Sequence, residues 1–262
     1  MDIQRSNVVE DQGDITPSFA IDGPILEAVS NVNNGSFETG DFESWNTIGD
    51  TSIETDSLGV FPTDGASQAL INTGVSDAGG SVADSDLEEF LDLSPGSLDN
   101  LIDGDAFDGS AIKQTVELEA GDVVSFDWNF LTNEGVPSDT FNDTAFLSGG
   151  GFTFELASTE SDFVDAPDVD EYSQQTGSQT LTFSVGTAGT FNFGFGAVDV
   201  GDDIVDSGLV IDNLTVQSAS SGAAESFNAP DLILGEDGFS STVAPEANSQ
   251  SGGLVLGENG FV

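Results

Sequence analysis

The chain has no cysteine and no histidine, and Arg5 and Lys113 are its only basic residues against 48 acidic ones. Each shortage removes a class of chemistry. Without cysteine there are no disulfides, thiol nucleophiles or thiolate metal sites. Without histidine the usual general base and the commonest zinc ligand are gone. With two cations and a net charge of −46, the surface repels nucleic acid and anionic membrane, so neither is expected as a partner. No run of apolar residues approaches the length of a membrane-spanning helix, so no membrane insertion is expected. The first fifteen residues show no basic n-region followed by an apolar stretch, the pattern of a secretory signal. What the chain has in abundance is carboxylate and amide oxygen, the ligand set of calcium.

The acidity alone does not require metal. A 27.0 kDa globule exposes roughly 11,000 Å², which places the 48 carboxylates about 15 Å apart on average. The Debye length is about 8 Å at physiological salt, so evenly spread charge is tolerable there, and adaptation to salty surroundings explains it as readily as calcium loading. Local clusters are more telling. Asp199, Asp202, Asp203 and Asp206 crowd one short loop around Gly201 and are candidate calcium ligands, without the spacing of an EF-hand. Asp139 and Asp143 flank Phe141, and Asp162, Asp165, Asp168, Asp170 and Glu171 form a further run; solvated loops explain these equally well.

The periodicity predicts an all-β fold. Val124, Phe126, Trp128 and Phe130 alternate with Ser125, Asp127 and Asn129. Phe152, Phe154 and Leu156 share one face of a strand, as do Leu181, Phe183 and Val185, and as do Phe191, Phe193 and Phe195. Twenty phenylalanines, with no polar handle, are mostly core. Strands of this kind separated by Gly, Asn and Asp predict an antiparallel jelly-roll β-sandwich over residues 31–217. Residues 84–93 read instead as a short helix, an insertion at the sandwich edge, with Ser85 and Glu88 spaced as a capping box. Residues 1–30 read as an extended arm.

Residues 218–262 read as a Ser/Ala/Gly-rich linker and a tail holding an internal repeat. Leu232–Phe239 recurs as Leu254–Phe261, with six of eight positions identical. In each copy alternating apolar side chains, Leu232 with Leu234 and Leu254 with Leu256, precede a tight-turn dipeptide and a phenylalanine, Phe239 or Phe261. Such a segment cannot offset its own ordering entropy and needs a sheet edge to pair with. An edge on its own body would give a compact monomer and an edge on a neighbouring copy a homo-polymer; the expectation is the neighbour, and an uncleaved export signal is a further reading of the repeat.

The segment Asn33-Asn34-Gly35-Ser36-Phe37-Glu38-Thr39-Gly40-Asp41-Phe42-Glu43-Ser44-Trp45 resembles the opening strand of galactose-binding-like jelly rolls, which include carbohydrate-binding modules. Leu209–Val216 looks like the closing strand of that fold, and the middle of the body is similar to exported bacterial and cyanobacterial proteins, many with a PEP-CTERM sorting segment that is missing here. The resemblance implies a structural calcium held by Glu38 and Asp212. It also implies carbohydrate binding, for which Tyr172 is the one clear surface aromatic, Trp45 and Trp128 being assigned to the core. Together these features lead to the expectation of a non-enzymatic, calcium-stabilised structural protein, extracellular or at the cell surface, that assembles through its terminal arms. The alternative is a polysaccharide-binding or adhesive module with the repeat as export signal. Only carboxylate-pair glycoside chemistry survives the composition, and no particular pair stands out.

Overall fold

The computed structural model describes residues 32–74, 80–102, 104–166, 172–201, 204–218, 232–235 and 238–241. The arm expected at residues 1–30, and with it Arg5, lies outside them. So do Asp168, Asp170, Glu171, Asp202 and Asp203, and the second repeat with Leu254, Leu256 and Phe261.

The alternating segments are strands, arranged as a jelly-roll sandwich. The chain runs through β1 (Asn46–Ile48), β2 (Asp50–Glu54), β3 (Gln68–Asn72) and β4 (Val82–Ala83), then α1 (Asp84–Phe90) and α2 (Ser97–Ile102). It continues through β5 (Ala106–Leu118), β6 (Val123–Thr132), β7 (Thr144–Gly149), β8 (Phe152–Ser158), β9 (Val164–Asp165) and β10 (Gln174–Gln175). Last come β11 (Gln179–Val185), β12 (Gly189–Val200), β13 (Ser207–Gln217), β14 (Leu232–Gly235) and β15 (Gly238–Ser241). One sheet has the order β1-β5-β12-β7-β8, with β4 beside β5. The other has the order β15-β14-β11-β6-β13-β3-β2, with β10 on β6 and β9 on β10. Every pairing is antiparallel except β11 with β14.

Between the sheets lies the main core. Val124, Phe126, Trp128 and Phe130 of β6 face Phe191, Phe193 and Phe195 of β12, and the Phe126 and Phe195 rings meet edge to face at 4.8 Å. The alternation places polar Ser125, Asp127 and Asn129 on the outer face of the second sheet. On β12 the outward positions are Gly194 and Gly196. A Cβ at Gly196 would lie 2.4 Å from the Phe146 ring, and one at Gly194 equally close to Leu91. These glycines let the two helices settle on the outer face of the first sheet, where Leu87, Leu91, Leu98 and Leu101 pack with Phe146, Val198 and Val200.

Three local expectations are corrected here. The helical insertion covers a sheet face rather than an edge. Its capping box does not form, because α1 starts from Ala83 with no side-chain cap. Glu88 is buried and turns to the next helix, accepting from Gly96 N at 2.9 Å and Leu98 N at 3.0 Å, which satisfies amides at the start of α2. Residues 33–45 are a chain of turns, not an opening strand. Asn34, Phe37 and Ser44 have φ of 52°, 57° and 70°, which no strand accommodates. The segment still buries Phe37 and Trp45 in the main core, and Leu214 N donates to Gly35 O at 2.9 Å, which seats it beside β13.

The first tail repeat also departs from expectation: it pairs with the chain's own body. β14 runs parallel to the end of β11, Ile233 opposite Ser184 and Leu234 opposite Val185, and Gly186 N donates to Leu234 O at 2.7 Å. Leu234 is 0% exposed and joins the main core. A linker tethers the tail to a free edge on the same molecule, and tethering favours that edge over a stranger's through effective concentration. β15 folds back on β14 as a hairpin, carrying Phe239 opposite Leu234 in register.

Candidate functional site

Three places gather polar chemistry. The first is a clasp on the loop that leads into β3. Glu38, from the turns after Asn34, accepts through Oε1 from Ala66 N at 2.8 Å and Ser67 N at 2.7 Å. Asp212, from β13, accepts through Oδ2 from Thr63 N at 2.7 Å, Asp64 N at 2.9 Å and Thr63 Oγ1 at 3.1 Å. Its Oδ1 accepts from Asn213 N at 2.7 Å, where β13 bulges and Asn213 takes a left-handed φ of 54°. The two residues implied as calcium ligands thus reach the same five-residue segment from opposite ends of the chain. Their residue types suit calcium, and their oxygens meet a row of N–H and O–H donors. Burial holds the Asp212 carboxyl above its ordinary value, against the backbone hydrogen bonds that lower it.

The second place is a buried acid pair at one end of the sandwich. Asp143 lies just ahead of β7, and Asp199 near the end of β12; each is 2% exposed. The two carboxyl groups are close enough to act on one another's titration. Asp143 also accepts from Ser207 Oγ at 2.6 Å and from Val200 N at 3.2 Å. Thr73 binds the Asp199 side chain and also accepts from Ser207 N at 2.9 Å, so β3, β7, β12 and β13 are tied together at this point. Burial pushes Asp199 up to about 9 and Asp143 up to about 7, with each pair member further raised by a neighbouring carboxylate. The pair behaves as one unit that retains a proton at neutral pH.

Asp199 was readable from sequence as one of the candidate calcium ligands of the crowded loop; it is buried, and Asp202 and Asp203 lie outside the described residues. Asp206 stays partly exposed, and its backbone oxygen accepts from Asn133 N at 3.2 Å. Asp143 was noted only for flanking Phe141. Its signal, and that of Asp199, is position: an acid set directly against an apolar strand, as in Ala197-Val198-Asp199-Val200. Asp139, Asp162 and Asp165 are exposed. Among the described residues, no three acidic side chains converge as a ready metal cage.

The third place is the outer face of the second sheet. Asn129 donates to Gln175 Oε1 at 2.8 Å and accepts from Thr176 Oγ1 at 3.3 Å. Asp127 accepts from Asn213 Nδ2 at 3.0 Å and from the Thr180 hydroxyl. Ser125 and Thr182 pair through their hydroxyls at 2.9 Å. The face is a fixed row of amides, hydroxyls and one carboxylate on β6, β10, β11 and β13. Among the described residues, no exposed Trp or Tyr lies on it. Trp45 and Trp128 are core, as expected, but Tyr172 is buried too, which corrects its assignment to the surface. Its hydroxyl donates to Asn72 Oδ1, and its ring packs with Leu58, Val60, Leu70 and Val210. The exposed large apolar side chains include Phe61, Phe107 and Phe152, which lie outside this row.

No protein-family model matches the chain, and no curated protein matches it in sequence. Solved structures do match. The carbohydrate-binding module TmCBM61, solved with β-1,4-galactotriose, is 14% identical, with 72% of this chain and 99% of that one covered and a TM-score of 0.38. The K1 cleaved adhesin domain of Lys-gingipain from Porphyromonas gingivalis W83 is 14% identical over 71% of this chain and 96% of its own, with a TM-score of 0.39. The mannan-recognising module TmCBM27 is 12% identical over 72% and 95%, with a TM-score of 0.38. At these scores the likeness is one of general architecture, and the fold assignment rests on the strand order itself. The similarity to proteins with a PEP-CTERM segment finds no support among these matches. Among the described residues no helix is long and apolar enough to cross a membrane.

Proposed function

We propose that the chain is a non-catalytic binding module of an exported or surface protein, and that the polar outer face of its second sheet takes a neutral polysaccharide. The row of Ser125, Asp127, Gln175 and Thr180 carries this reading, with Asn129 buried beneath it and holding Gln175 and Thr176 in place. Its side chains are held by one another on rigid strands, so hydrogen bonds to sugar hydroxyls are made with little further ordering. The strong negative field disfavours anionic glycans. With the tryptophans and the tyrosine buried, the grip is by hydrogen bonds rather than by stacking. Affinity electrophoresis against a set of neutral polysaccharides tests this. Retardation of the wild type, lost in Asp127→Ala and Thr180→Ala while folding persists, supports the proposal. Equal mobility with and without every polysaccharide overturns it.

A second reading, self-assembly through the tail, is favoured by one observation. The first repeat adds a strand to β11 and buries Leu234 there. Each chain carries a second near-identical segment, Leu254–Phe261, which in this reading adds to a sheet edge of a neighbouring copy other than β11, since the first repeat takes β11 in every copy. Removing residues 242–262 then abolishes assembly while the monomer keeps its fold. Assembly that survives this deletion excludes the spare segment as a connector and favours its role in export. Calcium belongs to both readings as a stabilising ligand, with Glu38 and Asp212 as the residues to hold it, supported by their meeting on one loop.

A further inference from the structure

We propose that Asp143 and Asp199 form a calcium site of their own, distinct from the clasp at Glu38 and Asp212, at the end of the sandwich where strands of both sheets converge. Two carboxylates buried side by side are unfavourable unless a retained proton or a cation lies between them. Nothing positive in the described protein is at hand. Lys113, the only basic residue among the described ones, is committed to Asp92 at 3.1 Å and to the Phe90 carbonyl and ring. The surroundings are negative instead, since Asp108 acts on Asp199 and Glu134 on Asp143 through their charges.

A second observation points to a ligand. Asp199 is 2% exposed, yet its Oδ1 has no hydrogen-bond partner. A buried carboxylate oxygen left in this way costs on the order of 1–3 kcal/mol or more, and native structures rarely leave it so. A hard divalent cation satisfies that oxygen and balances the two charges of the pair. The hydroxyls of Thr73 and Ser207 beside the carboxylates are further oxygen ligands of the kind calcium accepts. Calcium suits the site better than magnesium, which demands near-ideal octahedral geometry and holds its water.

The site has a structural consequence. Val200 N and Ser207 Oγ donate to Asp143, and Ser207 N to Thr73, so a cation there pins the ends of β12 and β13 to β3 and β7. Calcium is itself the probe. The full chain is dialysed in about 0.15 M NaCl, where loose counter-ions exchange with sodium. Calcium is then titrated calorimetrically and counted by elemental analysis. The wild type should bind with Kd below about 1 mM, the range of extracellular modules. Asp143→Asn and Asp199→Asn should each lose one calcium per chain, and Glu38→Gln/Asp212→Asn should keep it. A wild type that binds no calcium, or pair variants with unchanged stoichiometry, overturns the proposal. Should an Asn variant not fold, hydrogen exchange of the wild type decides. Calcium must slow exchange at the Val200 and Ser207 amides, and unaltered exchange there overturns the site.

Discussion

The clasp and the buried pair are both two-carboxylate sites in a chain with almost no cations, and they resolve the same difficulty in opposite ways. Glu38 and Asp212 are answered by backbone: four loop amides, the Asn213 amide and one hydroxyl point at their oxygens. Asp143 and Asp199 are answered largely by each other, and one oxygen has no answer. Oriented N–H groups let a carboxylate stay charged, whereas a second acid forces the pair to keep a proton or to take a cation. A predominantly acidic chain can therefore bury carboxylates freely only where a loop or bulge turns its amides inward.

The sharpest way to break this comparison is pH, in chelator. Asp199 and Asp143 sit at about 9 and about 7 in the folded state against 3.8 when unfolded. The folded protein then holds protons that the unfolded chain releases, so stability is full in mild acid and is lost as pH rises from about 4 through about 9. The slope is about 1.4 kcal/mol per pH unit for each retained proton, several kcal/mol in all. Denaturant midpoints should fall from pH 5 to pH 9 in the wild type, and in Asp199→Asn should keep only the smaller fall that ends near pH 7, from Asp143. A wild-type profile that rises over this window would show that the pair is ionised in the fold.

Truncating the clasp should cost less, and unequally. Asp212→Ala leaves the Thr63 and Asp64 amides and the Thr63 hydroxyl without their acceptor, for about 1–3 kcal/mol. Glu38→Ala should cost less, since Glu38 is exposed and water replaces it at Ala66 and Ser67. Equal losses in the two variants would mean that the loop is held elsewhere.

Calcium ranks next. At 100 times its dissociation constant a ligand adds about 2.7 kcal/mol, a rise in Tm of roughly 5–10 °C for a domain of this size. Comparing the rise in Glu38→Gln/Asp212→Asn with that in Asp199→Asn divides it between the two sites. Melting curves that coincide in calcium and chelator at matched ionic strength would remove calcium from both. The smallest effect is that of simple salt. Sodium chloride should stabilise the chelated protein as the Debye length drops below the spacing of surface carboxylates, then level off. A flat response would mean that the surface charges are already compensated.

The strands were legible because burial on one face imposes period two, and β6, β11 and β12 show it without interruption. What escaped depended on partners far along the chain. Tyr172 is buried because Asn72 takes its hydroxyl, and nothing near residue 172 announces that. Glu88 carries the spacing of a capping box, yet the amides it satisfies begin eight residues later, at Gly96. The turns at 33–45 depend on left-handed backbone at Phe37 and Ser44, residue types that rarely take it. The clasp was half legible: Glu38 and Asp212 were found through resemblance, but the loop they hold carries no motif. The buried pair was legible as two acids set against apolar strands, but that they meet needed the fold.

Lys113 sits in β5 between β1 and β12, its ammonium held by Asp92 and the Phe90 carbonyl, with its backbone paired to Asn46 and Gly194. Proteases that require a lysine or arginine in their specificity pocket therefore meet a body with a single cleavable bond, locked inside a strand ladder and reached only by unfolding. The same scarcity of positive charge that empties the chain of most chemistry leaves it nearly unreadable to trypsin-like enzymes.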